Sequence, residues 1–213
     1  VHHVPIYIAA YRKDFLELTG QKADGYLARP CESLPGFSLI MKRMRAASVA
    51  AGRPEDAVEA SGYLLTLIDK SRRAALNRAK REPFVIYMMA VLSDVSLKRA
   101  GFESALRDQI MAAWRAEDYH RAAELIPDEL LDAFMLCGTP NEVAEKAWQY
   151  HEAGMHIPAL QPIVQEDEQI QQILDAAEIY GMGMRDSVLV PAVKQAIANS
   201  QTSTASAPAA AAA

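Results

Sequence analysis

The sequence predicts an α/β fold with helices packed around a parallel sheet. Three observations carry this. Short β-branched and aromatic runs alternate with amphipathic helical stretches about four times along the chain. One of those runs, Tyr63 to Ile68, is nearly continuously apolar, the mark of a strand covered on both faces. A parallel strand needs a crossover to reach its neighbour, and the stretches between the runs are long enough to be helices. About four such units make either a small open sheet or half of an eight-stranded barrel.

The first unit opens on Val4-Pro5-Ile6-Tyr7-Ile8-Ala9-Ala10, a strand ending in two alanines, followed by Tyr11-Arg12-Lys13. A helix follows to Lys22, with Phe15, Leu16, Leu18 and Thr19 as its sheet-facing residues. Gly20 inside it costs about 1 kcal/mol relative to Ala, and a close approach of the backbone to a strand is the expected reason. Backbone N–H groups and the positive pole of the helix converge where the strand ends, so Ala10 to Lys13 is a candidate anion-binding loop. Cations at a helix start are mildly unfavourable with the dipole, a small argument for an anion beside Arg12 and Lys13.

In the second unit, Asp24 to Ala28 is the strand, and the loop from Arg29 to Gly36 carries two prolines. The helix that follows turns Phe37, Ile40, Met41, Met44, Ala47, Val49 and Ala50 inward, with Lys42, Arg43 and Arg45 opposite, and stops at Gly52. The third strand covers Val58 to Ile68. Asp69 or Ser71 caps the next helix, Pro83 breaks it, and Gly101 and Pro127 divide a long helical segment after it. That region exceeds a plain crossover and reads as a helical insertion partly outside the sheet.

The fourth unit starts with Gly138-Thr139-Pro140-Asn141-Glu142, which places Thr at N-cap, Pro at N1 and Glu at N3, a capping box. Its helix turns Val143, Ala147 and Tyr150 inward and stops at Gly154. His156 to Ile163 is a short strand whose two prolines suit its ends. Glu166 to Tyr180 and Val188 to Ala198 read as closing helices. Ser, Thr, Pro and Ala dominate residues 199–213, which predicts a disordered tail after a partial-barrel domain over residues 1–198.

Composition narrows the function classes. Hydrophobic residues at 51%, charged residues at 23% and a net charge of -5 over 213 residues argue against a general nucleic-acid or anionic-membrane binder. No apolar run reaches the roughly 20 residues that span a bilayer. The two cysteines lie far apart with no His or Cys at ligand spacing, which predicts reduced thiols, a cytoplasmic setting and no metal site. The start on Val1-His2-His3, without Met and within a few residues of a strand, reads as a fragment or as the processed half of something larger.

Other chemistry-bearing residues have plainer readings. The five histidines form no ligand spacing and read as surface or packing residues. Cys31 lacks a base partner, Cys137 reads as core, and Met88, Met89 and Trp114 read as packing. Asp128 and Glu129 are helix neighbours that do not face each other and suit a first turn. No residue presents itself as a general acid or base.

Several stretches together resemble one family, the luciferase-like flavin or deazaflavin oxidoreductases, which include the methylenetetrahydromethanopterin reductases. They are Val4 to Ala10, Leu16-Glu17-Leu18-Thr19-Gly20, Ala23-Asp24-Gly25, Ala50-Ala51-Gly52-Arg53, Ile126-Pro127-Asp128-Glu129-Leu130, Gly138 to Glu142 and Glu152-Ala153-Gly154. The resemblance implies the C-terminal half of a TIM barrel, strands five to eight, with the first four absent. It further implies that the loop after the fifth strand helps hold the phosphate of FMN or of a deazaflavin of the coenzyme F420 type. Carried over, this points to Ala10, Tyr11, Arg12 and Lys13, with Ala28 and Arg29 after the sixth strand near the same end. That is the end at which barrel sites sit. Family members often have Gly-Pro where this chain has Arg12-Lys13. Losing that glycine removes a very close backbone approach, and gaining two cations compensates by direct pairing with a phosphate.

The expected function is therefore a fragment of an oxidoreductase that transfers hydride to or from a small-molecule substrate, or activates oxygen, through its cofactor. Alone, such a fragment is expected to be inactive, with sheet edges that invite pairing. The second reading is a non-catalytic half-barrel that binds a phosphate-bearing ligand or completes itself as a homodimer.

Overall fold

The computed structural model of the protein describes residues 4–188. The chain forms β1 (Tyr7–Ala9), α1 (Lys13–Lys22), β2 (Gly25–Ala28), α2 (Leu34–Ala50) and β3 (Glu59–Ile68). Six helices follow: α3 (Arg72–Ala79), α4 (Pro83–Ala90), α5 (Asp94–Ala100), α6 (Ser104–Arg115), α7 (Tyr119–Leu125) and α8 (Asp128–Phe134). β4 (Leu136–Gly138), α9 (Pro140–Glu152), β5 (Ile157–Pro162) and α10 (Asp167–Val188) complete it. The expected helix over 188–198 lies, beyond its first residue, outside the described residues, and so does the expected tail.

All described strand pairings are parallel. β3 is the hub. Gly62 pairs with Ala28 of β2 and with Pro158 of β5, while Thr66 pairs with Leu136 of β4 and with Pro162 of β5. A residue offers only two edges, so β5 lies along one edge of β3 and β2 and β4 follow each other along the other. The four expected strands thus run β1-β2-β3-β5, in the order of a barrel half. β4 is an unexpected addition: the stretch around Cys137, expected only as core, puts three residues along the edge of β3 beyond the end of β2. Pro158 sits inside the ladder rather than at its end.

β3 alternates between two cores. Ala60, Leu64 and Ile68 face the core made with α1, α2, α9 and α10, which buries Leu16, Phe37, Met44, Val143 and Tyr150. Leu65 and Leu67 face the other way, into a core built by the insertion, with Ala75, Met89, Leu97, Ile110 and Phe134. The insertion therefore covers the C-terminal end of the face opposite the helices. Towards the other end of that face Tyr7, Tyr63 and Ile157 stay 40–50% exposed.

Local grammar sets most boundaries. Ser33, Ser71, Ser93 and Thr139 cap α2, α3, α5 and α9, and the Thr139–Glu142 capping box is formed on both sides. α1 turns differently from expectation: Leu16, Thr19 and Gly20 are buried, while Phe15 and Leu18 are exposed. Gly20 meets a helix and not a strand. A Cβ there would stand 2.4 Å from the Met44 carbonyl oxygen, and the Gly20 carbonyl accepts from Ser48 Oγ at 2.9 Å and from Arg53 Nη1 at 2.6 Å. Among the described residues no helix is long and apolar enough to cross a membrane.

Candidate functional site

The ends of β1 and β2 put two loops side by side. β1 stops at Ala9, the chain turns through Ala10 and Tyr11, and α1 begins after Arg12 with no side chain capping its first turn. β2 stops at Ala28 and leads through Arg29 into the loop before α2. Tyr26 Oη, buried on β2, donates to the Ala10 carbonyl at 3.0 Å and ties the two strand ends together. The Arg29 guanidinium lies 5.6 Å from the centre of the Tyr11 ring and ties the two loops.

Between these loops and α5 lies a cleft of about 500 Å³. Four of the six expected residues line it: Tyr11, Arg12, Lys13 and Arg29. The other two, Ala10 and Ala28, are 6% and 2% exposed and sit beneath the loops as the last buried side chains of each strand unit. A smaller hollow of about 190 Å³, lined in part by Ala9, Ala10 and Phe15, adjoins at Tyr11 and Arg12.

The cleft also holds residues that local sequence patterns did not mark. Arg43 reaches it from α2, where periodicity placed it on a solvated face. Arg99, Ser93, Val95 and Ser96 come from the start and body of α5, at least 80 residues from the first loop. Only the fold brings them together. The lining therefore carries five cations against one carboxylate, Glu32. A concave wall of one sign concentrates a small anion well beyond what an exposed patch achieves, and guanidinium groups suit phosphate oxygens through paired donors.

Glu32 is the unusual member. It follows Cys31, whose φ of +57° is left-handed and rare for a residue with a side chain. The residue is 4% exposed, yet among the described residues neither carboxylate oxygen has a hydrogen-bond partner, and the nearest paired cation, Arg99, stands 3.9 Å away. Burial raises its pKa above the usual carboxylate range, against the opposing pull of Arg99 and Arg29. Its backbone is held by Tyr150 Oη, which donates to the Glu32 carbonyl at 2.8 Å.

Burial pushes the Cys31 and Cys137 thiols up to about 12, which leaves them protonated and inert. His156 Nδ1 accepts from the Ala60 N–H at 2.9 Å, a packing role. Asp128 and Glu129 lie in the first turn of α8. A polar hollow of about 260 Å³ surrounds Lys146, whose ammonium donates to the Met135 carbonyl at 2.9 Å and closes the end of α8. Among the described residues no group of three or more His, Cys, Asp or Glu side chains could hold a metal ion.

Comparison with known proteins supplies the lineage. Residues 1–156 match the model of the luciferase-like monooxygenase family. The chain is 29% identical over 180 residues to the 5,10-methylenetetrahydromethanopterin reductase of Methanolobus tindarius, which covers 84% of this chain and 54% of that protein. It is 28% identical over 156 residues to the enzyme of the same name from Archaeoglobus fulgidus, covering 71% and 46%. The fold superposes on the coenzyme F420 dependent tetrahydromethanopterin reductase of Methanopyrus kandleri with a TM-score of 0.69 at 24% identity, over 81% of this chain and 49% of the other. An F420-dependent secondary alcohol dehydrogenase matches with a TM-score of 0.55 at 13% identity, covering 82% and 48%. The chain thus spans about half the length of the curated relatives it matches.

Proposed function

Because this chain belongs to the luciferase-like monooxygenase family, we propose that it is part of a flavin- or deazaflavin-dependent oxidoreductase. In this reading it contributes the cationic wall of the cofactor's phosphate site. The observation that carries the reading is the meeting of Tyr11, Arg12, Lys13 and Arg29 with Arg43 and Arg99 around one cleft at the ends of β1 and β2.

The donor set suits such a group. Arg12 and Lys13 sit at the uncapped start of α1, where a phosphate meets both the helix pole and the side-chain charges. Arg29, steadied over Tyr11, offers a planar donor fork from the neighbouring loop. Ala10 and Ala28, small and buried, let both loops start from closely packed strand ends. When bound, a flavin or deazaflavin ring supplies the centre for hydride transfer or monooxygenation of a small organic substrate. This chain's residues bind and orient it, and none is assigned a proton-transfer role.

Fluorescence titration of FMN and of coenzyme F420 with the purified chain tests the reading. Saturable binding of one of them that weakens in Arg12→Ala and Arg29→Ala is expected, and no binding of either contradicts it.

A second reading is a non-catalytic half-barrel that self-associates. The exposed face at Tyr7, Tyr63 and Ile157 favours it, since apolar patches on sheets draw partners. Cofactor binding without turnover, by a chain that sediments as a dimer, is the result that selects it.

A further inference from the structure

We propose that Glu32 is a specificity residue: it accepts hydrogen bonds from hydroxyl or N–H donors of the ligand in the cleft. The site then prefers an anion that carries such donors, a polyol phosphate, over a bare anion. This rests on the anion-binding reading above and adds to it the chemistry next to the phosphate.

The carboxylate has been taken out of water without receiving a donor. Glu32 is 4% exposed and lines the cleft, and among the described residues neither carboxylate oxygen has a hydrogen-bond partner. One donor at the adjoining turn and one on the cleft lining are committed elsewhere. The Gly36 N–H, at the start of α2, donates to Ser33 Oγ at 3.3 Å. Glu32 lies so close to that turn that a Cβ on Gly36 would fall 2.2 Å from Oε1. Ser93 Oγ donates to Ser96 Oγ at 3.0 Å, so this hydroxyl is engaged within α5.

Arg99 does not settle the account. At 3.9 Å from Oε1 it neutralises charge at a distance outside hydrogen bonding. The left-handed Cys31 and the bond from Tyr150 to the Glu32 carbonyl fix the backbone from which the side chain reaches the cleft wall. Nor does a metal explain it, because no group of three acidic, His or Cys side chains gathers among the described residues. What remains is an acceptor awaiting donors beside five cations awaiting an anion. A buried acceptor discriminates strongly, because a ligand lacking the donor leaves it unpaired, while its negative charge disfavours a bare phosphate that reaches it.

The test is calorimetric titration of the 213-residue chain with inorganic phosphate and with ribose 5-phosphate, repeated on Glu32→Gln. Wild type is expected to bind ribose 5-phosphate about tenfold tighter than phosphate. In Glu32→Gln the ratio should fall to about threefold or less, with phosphate binding unchanged or stronger. That second effect is one a merely structural residue would not produce. Circular dichroism checks the fold. If Glu32→Gln does not fold, Glu32→Asp, which keeps the charge and withdraws the oxygens, is expected to lose part of the same preference. An unchanged ratio in the variant overturns the role of Glu32, as does a wild type that binds phosphate without preferring the sugar phosphate. A wild type that binds neither overturns the anion site itself, and Glu32's role with it.

Discussion

The Arg29 guanidinium stacks 5.6 Å above the centre of the Tyr11 ring, and this contact joins the loops that follow two adjacent strands. Tyr11 is itself 59% exposed, so the stack adds little stability, about 0.5–1 kcal/mol. Its value is in holding Arg29 at the cleft.

Removing that cation should therefore cost binding and spare the fold. Arg29→Ala is expected to weaken FMN or phosphate binding about tenfold, the equivalent of one charged hydrogen bond. Thermal unfolding should shift little. Tyr11→Phe keeps the ring face and should bind as wild type does, whereas Tyr11→Ala should weaken binding about two- to threefold. Calorimetric titration of the three variants checks the order.

Gly20 marks where α1 and α2 press together, and the expected cost of adding a methyl group is steric. An Ala there gains about 1 kcal/mol of helix propensity. It also drives a Cβ to 2.4 Å from the Met44 carbonyl oxygen and 2.8 Å from Ala47 Cβ. Backbone atoms do not yield as a flexible side chain does, so overpacking of about 1–3 kcal/mol should win. Gly20→Ala is expected to lower Tm by roughly 2–4 °C for each kcal/mol of net loss, and a rise in Tm would refute the close approach.

Glu32 makes stability depend on pH in a particular direction. Burial raises its folded-state pKa above the unfolded value, so its ionised form is worse off in the folded chain. The penalty is full above the folded pKa and fades as pH falls from there towards the unfolded value near 4.5. Glu32→Gln should accordingly stabilise the ligand-free protein at neutral pH by about 1 kcal/mol. The gain should shrink in acid across that window. Urea unfolding of both proteins at several pH values reads this out, and a gain that grows in acid contradicts it.

Much of the fold was legible because the chain writes its boundaries locally. Thr139-Pro140-Asn141-Glu142, Ser71 and Gly52 each signal a helix end within a few residues, and the doubly covered end of β3, Leu64 to Ile68, shows in the apolar run that starts at Tyr63. β4 was not legible, since three residues give no period and its pairing with Thr66 to Ile68 is set by the insertion's path. The same split divides the site. Arg12, Lys13 and Arg29 follow strands and announce themselves. Arg43 and Arg99 sit on helices whose exposed faces are ordinarily charged, and only the packing of α5 beside α2 brings them to one cleft. Glu32 carries no motif at all; what distinguishes it is burial without a donor.

The central claim, a phosphate site at Arg12, Lys13 and Arg29, is tested most directly by comparing FMN with riboflavin, which lacks only the phosphate. In fluorescence titrations at rising salt, FMN should bind about tenfold or more tightly at low ionic strength. The advantage should shrink as salt screens the cleft. Equal affinities for the two at every salt concentration would contradict the claim.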